Sequence, residues 1–344
     1  MSKQASSRRK RLPACIVLSV LLLVHGAQAE SGAAAQGKAE TGIDSLEDIT
    51  LGGIRQKVLI QGDDIANPVL LWLHGGPGEP AMMLAHHFSS ELRRHLTLVH
   101  WDQRGAGLSY SPELDPQQIS EALIESDAVE LARWLTRRFN QEKIYLLGHS
   151  FGSVIGLRLA AAHPELFCAY IGVGQVIKPS ESEKLTYAWL EHTLLQVGDW
   201  EGLERIHEAH SPLIDLVAKY GGRMHQTVDY NAIIQSSPYY FNGYIEKKKA
   251  AREFCQQAIA ANKTKGPDDF FREAPEVKVP VYFMVGRFDR IPACAPALVV
   301  EYCAGLRAPH KKILWLENSA HLPNLEEPQR FQYLIRDKVL KNAR

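Results

Sequence analysis

The apolar residues of the chain fall into short, uniform runs separated by longer amphipathic stretches. The runs that predict strands are Val58–Ile60, Val69–Leu73, Leu96–Trp101, Ile144–Leu147, Val281–Val285 and Ile313–Leu316. Runs this apolar are typical of strands buried on both faces of a mainly parallel sheet. The stretches that predict helices between them are Glu121–Phe139, Val154–Ala162 and Pro328–Leu340. The alternation predicts an α/β fold, a mostly parallel sheet with helices on both faces.

One long segment interrupts this alternation. Residues 179–276 have helical patterning, several aromatic side chains and no convincing strand. The chain returns to a sheet strand at Val281, so we interpret the segment as a helical cap inserted between two strands. An independent second domain is the alternative. The predicted core is then formed by residues 46–178 and 277–344, with the cap at 179–276 inserted between its two parts.

The N-terminus has the three-part layout of a secretory signal peptide over residues 1–29. Four basic residues, Arg8 to Arg11, precede the apolar run Cys15–Val24, and Ala27-Gln28-Ala29 follows. A membrane anchor is the alternative, but ten helical residues span about 15 Å of a ~30 Å hydrocarbon core. We expect cleavage before Glu30, a flexible leader over 30–45, and an exported, periplasmic or secreted protein with no stable membrane anchor. Sec and twin-arginine routes both stay open.

The composition excludes some classes of partner but does not indicate a reaction. The formal net charge is zero and 45% of the residues are hydrophobic. The sequence therefore gives no sign of the concentrated basic face that a nucleic-acid partner would need. No Cys/His grouping has the spacing of a structural zinc site, and no metal is expected. Outside the signal peptide the cysteines are Cys168, Cys255, Cys294 and Cys303. A helix between the last two would hold them about 13 Å apart, beyond the ~7 Å reach of a disulfide.

The candidate nucleophile follows the strand run at Ile144–Leu147. The motif Gly148-His149-Ser150-Phe151-Gly152 leads from this strand into a helix. Such a strand–turn–helix bend exposes the serine hydroxyl and needs small residues, here Gly148 and Gly152, where side chains would clash. The next backbone N–H, that of Phe151, then points at a developing oxyanion. The pattern predicts Ser150 as a catalytic nucleophile.

A nucleophilic serine needs a base and an acid that orients the base, and in this type of sheet they follow in the order Ser, acid, His. Asp289 comes just after the strand run Val281–Val285, and His321 just after Ile313–Leu316. The carboxyl ends of parallel strands meet at one edge, so both should lie near Ser150. Asp102 and Glu317 are competing acids. Asp289 is preferred because Asp102 precedes the serine and Glu317 is too close to its strand.

The loop after the strand Val69–Leu73 is the candidate second half of an oxyanion hole. Its sequence, His74-Gly75-Gly76-Pro77-Gly78, lets the backbone approach a substrate oxygen closely. The N–H of Gly76 can then point at the oxyanion beside that of Phe151. A plain turn is the alternative, since Gly-Pro-Gly marks turns in general.

These motifs, with Asp102-Gln103-Arg104-Gly105-Ala106-Gly107-Leu108-Ser109, resemble the proline iminopeptidase branch of the α/β-hydrolase superfamily over residues 50–176 and 277–342. The resemblance implies an eight-stranded sheet with a helical cap, no cofactor, and hydrolysis of amides or esters. It maps Ser150 as nucleophile, Asp289 as the orienting acid and His321 as base. It also implies a structural role for the Asp102–Ser109 loop, with Arg104 paired to a carboxylate.

The cap departs from the family pattern. Iminopeptidases of this family hold the substrate amine with acidic cap residues, some in a Trp-Glu helix, whereas the comparable strings here, Trp189-Leu190-Glu191 and Trp200-Glu201, have different spacing. Acidic candidates are Glu181, Glu183, Glu191, Glu201, Glu204 and Glu208, each also explicable as a solvated helix face. Three functions stay open for a small-molecule or short-peptide substrate: hydrolysis of an aminoacyl amide, hydrolysis of an apolar ester or lactone, and ligand binding without chemistry. Relatives with an aspartate nucleophile are excluded because position 150 is serine.

Overall fold

The six predicted strand runs and two further strands form one eight-stranded sheet in the computed structural model, which describes residues 41–208, 213–263 and 268–342. The strands are β1 (Ile43–Leu51), β2 (Ile54–Gly62), β3 (Val69–Leu73), β4 (Thr97–Asp102), β5 (Ile144–His149), β6 (Phe167–Val173), β7 (Val281–Gly286) and β8 (Lys311–Leu316). Their order across the sheet is β1-β2-β4-β3-β5-β6-β7-β8. β2 pairs antiparallel with both β1 and β4, and the other five pairings are parallel, which confirms the mostly parallel sheet.

Helices connect the strands and cover both faces of the sheet. In the core they are α1 (Ala85–Phe88), α2 (Glu121–Arg138), α3 (Phe151–Ala162), α10 (Pro296–Gly305), α11 (Pro323–Glu326) and α12 (Pro328–Leu334), which a π-helical turn extends to Leu340. Short 3-10 turns occupy Met82–Leu84, Leu92–Arg94, Gly107–Ser109 and Pro116–Gln118. α2 begins at a capping serine, because the hydroxyl of Ser120 accepts a hydrogen bond from the N–H of Leu123.

Alternate residues of each central strand enter different hydrophobic clusters. In β3, Leu71 and Leu73 pack with α2 and α3, whereas Leu70 and Trp72 pack with Phe88 and the α12 side of the sheet. This is the two-residue period of a strand with both faces covered. The sheet is therefore a buried, rigid platform, and its strand ends are fixed in position.

The cap lies between β6 and β7 in the chain. Its helices are α4 (Pro179–Val197), α5 (Trp200–His207), α6 (Leu213–Lys219), α7 (Tyr230–Gln235), α8 (Tyr244–Ala261) and α9 (Phe270–Glu273). Leu190, Leu194, Ile206, Leu216 and Val217 belong to a separate small cluster inside it. Trp189 and Tyr187 pack against that cluster, so the aromatic residues of the cap serve partly as its own core.

The predicted leader over 30–45 is wrong at its C-terminal end. The chain enters β1 at Ile43, and nine residues of β1 pair with β2 from Ile43 opposite Gly62 to Leu51 opposite Ile54. β1 is charged, but its side chains find partners, such as Glu47 with Arg138 at 2.6 Å. The signal peptide prediction and the rest of the leader lie on residues 1–40, outside the described ones. Among the described residues, no helix is long and apolar enough to cross a membrane.

Candidate active site

Ser150 lies at the sharp turn between β5 and α3. Its backbone has φ 54° and ψ −121°, a conformation that is costly for a residue with a side chain, and its N–H donates to the carbonyl of Val173 at 2.9 Å. A Cβ at Gly148 would lie 2.4 Å from the carbonyl oxygen of Gly152, and one at Gly152 would lie 2.2 Å from that of Leu73. The bend therefore closes only with glycine on both sides of the serine.

Asp289 and His321 are brought together from the ends of neighbouring strands. Asp289 follows β7 and His321 follows β8, and Nδ1 of the histidine lies 2.8 Å from Oδ2 of the aspartate. The other carboxylate oxygen accepts the N–H of Ile291 at 3.0 Å, which fixes the orientation of Asp289. Both side chains are buried, and His321 lines one cavity together with Ser150. With Nδ1 engaged by the carboxylate, Nε2 is the ring nitrogen available to a serine hydroxyl.

Neither competing acid contacts His321. Asp102 accepts the N–H of Leu108 at 2.8 Å, and burial raises the pKa of this carboxyl to about 7 despite that bond. Glu317 is exposed and forms a two-point ion pair with Arg287 at 2.8 and 2.9 Å. Asp289 is the one of the three acids that the fold places on the histidine.

The glycine loop after β3 packs directly against Ser150. A Cβ at Gly75 would lie 3.0 Å from Cβ of Ser150. Gly76 has φ +115°, and a Cβ there would lie 2.5 Å from the N–H nitrogen of Gly78, so the loop conformation requires glycine. Phe151 is the first residue of α3, and its N–H has no partner within the helix. Gly75 and Gly76 of this loop line the same cavity as Ser150.

His74 anchors this loop to the segment after β4. Burial lowers the pKa of His74 to about 4, so the ring is neutral. Nε2 accepts the N–H of Gln103 at 3.2 Å, which leaves the ring proton on Nδ1 to donate to the carbonyl of Gly75 at 2.8 Å. The prediction that Arg104 pairs with a carboxylate is confirmed, since it binds Asp127 through two 2.6 Å contacts and both side chains are buried.

The sequence indicates His149 only as part of the serine motif, but in the structure its ring is hydrogen-bonded to the backbone of His321. Burial, with the nearby charge of His321, lowers the pKa of His149 to about 3. The neutral ring therefore donates from Nε2 to the carbonyl of His321 at 2.9 Å, and the two rings lie 4.9 Å apart. The motif places His149 next to Ser150, but no signal in the sequence links it to His321.

Helix α8 of the cap packs against the glycine loop that follows β3. Lys248 and Arg252 lie 2.6 and 3.0 Å from the carboxylate of Glu79. Burial opposes ionisation of Glu79, but the two cations outweigh it and lower its pKa. Gly78 admits no side chain here, because a Cβ would lie 2.9 Å from Cα of Arg252. Sequence patterning missed this contact, since 169 positions separate Glu79 from Lys248.

The cavity at Ser150 has a volume of about 450 Å³ and mixed lining. Its charged lining residues are Glu79, Asp215, Arg223 and Arg252. None of the six cap glutamates singled out in the sequence, Glu181, Glu183, Glu191, Glu201, Glu204 and Glu208, lines it. Five of them are exposed, and Glu181 pairs with Lys184. The amine site expected from the family pattern is therefore not formed by those residues.

Residues 68–328 match the family model described as the alpha/beta hydrolase fold. The chain belongs to this family. It is 30% identical over 316 residues to the "Probable aminopeptidase YbaC" of Bacillus subtilis, covering 83% of this chain and 93% of that protein. It is 24% identical to a proline iminopeptidase of Heyndrickxia coagulans, covering 78% and 89%. The crystal structure of Mycobacterium smegmatis proline iminopeptidase matches with a TM-score of 0.64 at 16% identity, covering 87% and 99%. The chain is thus a proline iminopeptidase-like α/β hydrolase, as the motifs predicted.

Proposed function

We propose that this α/β hydrolase is a serine hydrolase that acts through an acyl-enzyme. Oγ of Ser150 attacks the substrate carbonyl carbon while Nε2 of His321 accepts the hydroxyl proton, and Asp289 stabilises the imidazolium. The N–H groups of Gly76 and Phe151 bind the oxyanion. His321 then returns the proton to the leaving group, and water hydrolyses the ester on Ser150 by the same steps. The observation that supports this most strongly is the 2.8 Å contact between His321 and Asp289 beside the bend at Ser150.

For the substrate we propose a small aminoacyl amide, with the amine held by a carboxylate of the cavity. The names of the relatives, an aminopeptidase and a proline iminopeptidase, support this class. Asp215 on α6 is the cap carboxylate that lines the cavity, and no cation of the described residues lies within ion-pair distance of it. Glu79 is the other lining carboxylate, but Lys248 and Arg252 already neutralise it.

An activated or apolar ester is the second candidate. The cavity wall includes apolar side chains, among them Trp72, Leu84, Ile291 and Leu322, which suit an acyl chain. Each buried methylene of such a chain adds up to ~0.8 kcal/mol to binding. Binding by apolar contact needs no free amine, so the two candidates predict opposite responses to N-acetylation.

Three substrates separate these candidates. We expect hydrolysis of prolyl-nitroanilide, of its N-acetyl form, or of nitrophenyl butyrate to be lost in Ser150→Ala, since each needs the nucleophile. If the cavity binds the amine, kcat/KM for the N-acetyl form should be at least about fivefold lower than for prolyl-nitroanilide. This difference corresponds to ~1 kcal/mol of ionic attraction. A butyrate ester cleaved readily, with acetylation neutral or helpful for the amide, would establish the esterase candidate. If none of the three substrates is hydrolysed, the result would count against both candidates.

We also propose that the protein is exported after removal of residues 1–29. The support is the basic, apolar and small-residue order of that segment. Mass spectrometry of protein made in a bacterial host should find a mature N-terminus at Glu30 in the periplasm or medium. An intact Met1 or Ser2 on cytoplasmic protein would overturn both the cleavage and the localisation.

A further inference from the structure

Arg223 is a charged residue of the catalytic cavity that the steps above do not use. It is half-buried and lines the cavity together with Ser150 and His321. Among the described residues, no carboxylate lies within 4.0 Å of its guanidinium, whereas Arg252, the other arginine that lines the cavity, is paired with Glu79. The two internal stretches outside the description, 209–212 and 264–267, contain no acidic residue. A half-buried guanidinium beside a nucleophile normally finds an anion, because leaving it unpaired costs free energy.

The backbone holds Arg223 at this place. The carbonyl of Arg223 accepts the N–H of His321 at 3.0 Å, and the carbonyl of Gly222 accepts the N–H of Arg290 at 2.9 Å. Gly222 allows the close approach, since a Cβ there would lie 2.7 Å from Cβ of Arg290. The turn is thus bonded to the loops of both the acid and the base, and replacing the Arg223 side chain leaves these main-chain bonds intact.

The other charges of the cavity do not neutralise Arg223. Glu79 already pairs with Lys248 and Arg252, two cations on one carboxylate. Asp215 lines the same cavity but lies beyond ion-pair distance of Arg223. Neither lining carboxylate is therefore paired with Arg223, which leaves its guanidinium without a charge partner among the described residues of the cavity.

The position of Arg223 relative to His321 indicates which part of the substrate it meets. When the bond between the acyl carbon and the leaving nitrogen or oxygen breaks, His321 delivers the proton to that leaving atom, so the leaving group lies against His321. The carbonyl of Arg223 itself accepts the N–H of His321, and the charge of Arg223 also acts on His149, which lies beside His321. A cation at this place contacts the leaving group rather than the oxyanion, which lies toward Gly76 and Phe151.

We infer that Arg223 binds a carboxylate on the leaving group, so that the preferred substrates are short, such as a dipeptide whose C-terminal carboxylate is within reach. This inference rests on the proposed function, because it assumes that the reaction releases a leaving group protonated by His321. Arg223 would then determine specificity at the leaving-group end of the substrate. A guanidinium binds a planar carboxylate through two parallel N–H bonds, whereas a neutral carboxamide lacks the charge and one of the acceptors.

Matched substrates that differ only in this group test the inference. Pro-Gly and Pro-Gly-amide form the amide pair, and 3-carboxyphenyl butyrate and 3-carbamoylphenyl butyrate form the ester pair. We expect kcat/KM of the wild type to favour the carboxylate member about tenfold, mainly through KM. Arg223→Gln should reduce this ratio to near one, and Arg223→Lys should recover part of it, since a lysine supplies the charge without the fork. Arg205→Gln is the matched control, because Arg205 is a half-buried cap arginine outside the cavity and its loss should leave the ratio unchanged.

The outcomes separate this inference from the proposed function. A wild-type ratio near one in both pairs, or a ratio that survives Arg223→Gln, overturns the inference while the hydrolase assignment stands. If neither pair is turned over, calorimetry of Ser150→Ala with Pro-Gly and Pro-Gly-amide measures the same preference as binding. A tenfold tighter Kd for Pro-Gly that disappears in Ser150→Ala/Arg223→Gln supports the carboxylate site even then, and equal Kd values reject it.

Discussion

The sheet and the cap are held together in different ways. Every residue of β3, β4 and β7 is buried, and two large clusters continue across both faces of the sheet. The cap has one small cluster of its own, and it presents large exposed side chains to solvent, with Trp200 at 67% and Val197 at 59% exposure. The strand ends therefore hold the proposed chemical groups rigidly, whereas the cap meets the substrate from a less densely packed support.

Because the two regions differ in this way, we expect the proposed catalysis and the substrate specificity to be altered by separate sets of residues. The serine, the acid and the base all sit on strand ends, and each is fixed by short main-chain bonds or by glycine contacts. Cap residues contact the surrounding loops at several places, among them Lys248 and Arg252 of α8 at Glu79 and the turn at Arg223. Changes in the sheet should therefore act on kcat and stability, and changes in the cap on KM and substrate choice.

The largest expected effect is at Asp289. Asp289→Asn should leave the protein folded and reduce kcat by on the order of 10⁴, because the imidazole loses its correct tautomer and the carboxylate that stabilises its charge. Steady-state kinetics on the best substrate, with circular dichroism as a folding check, measures this. Glu317→Gln is the control, since Glu317 pairs with Arg287 at the surface and should change kcat by less than about twofold. A near-normal rate in Asp289→Asn would reject Asp289 as the orienting acid.

The next effect is at the glycine loop. Gly76→Ala should reduce kcat by about 10²–10³, the loss typical of one oxyanion donor, since a side chain at φ +115° forces the loop to move. Gly305→Ala provides the matched control, because a Cβ at Gly305 meets no atom within 4 Å. Equal kinetics for Gly76→Ala and wild type would show that the N–H of Gly76 does not bind the oxyanion.

The proposed catalytic residues could be named from the sequence because their signals are local. Ser150, Asp289 and His321 each follow an apolar run within a few positions, and chain order alone then places them at one sheet edge. The competing acids were separable by position, and the contact of His321 with Asp289 agrees with that choice.

The strands β1 and β6 and the position of Arg223 could not be predicted, because they depend on contacts between distant parts of the chain or on weak local signals. β1 was missed because its charged residues resemble a solvated segment until Arg138 and Gln61 provide partners from elsewhere. β6 was missed because its run contains Cys168, Ala169 and Gly172, which weaken the strand signal. Arg223 is 98 positions from His321, and no spacing rule links the two.

A third prediction compares the packing of the two regions directly. Leu71 in β3 and Leu194 in α4 are both fully buried. Leucine-to-alanine changes cost roughly 2–5 kcal/mol, depending on how far the site can collapse around the cavity. We expect Leu71→Ala to fall near the upper end of this range and Leu194→Ala near the lower end, measured by urea denaturation. A Leu194→Ala cost equal to or above that of Leu71→Ala would contradict a looser cap.

The smallest expected effect is a pH dependence at the edge of the sheet. Burial raises the pKa of Asp102 from its unfolded value to about 7, so the protonated carboxyl is favoured in the folded protein. Its stabilising contribution is complete below pH ~4 and declines as pH rises toward 7, by at most ~1.4 kcal/mol per unit. Asp102→Asn removes this dependence. We expect the free energy of unfolding of wild type, relative to this variant, to decrease by at least about 1 kcal/mol between pH 4.5 and 7.5; an increase would mean that Asp102 is ionised in the fold.

The most direct test of the central claim is covalent labelling of the nucleophile. A fluorophosphonate probe reacts with a serine only when a neighbouring base activates its hydroxyl. After incubation and tryptic mass spectrometry, we predict one phosphonate adduct, on Ser150, in the folded wild type and no adduct in heat-denatured protein or in Ser150→Ala. An adduct on another serine, or undiminished labelling of Ser150→Ala, would contradict the account that Ser150, His321 and Asp289 act as one catalytic unit.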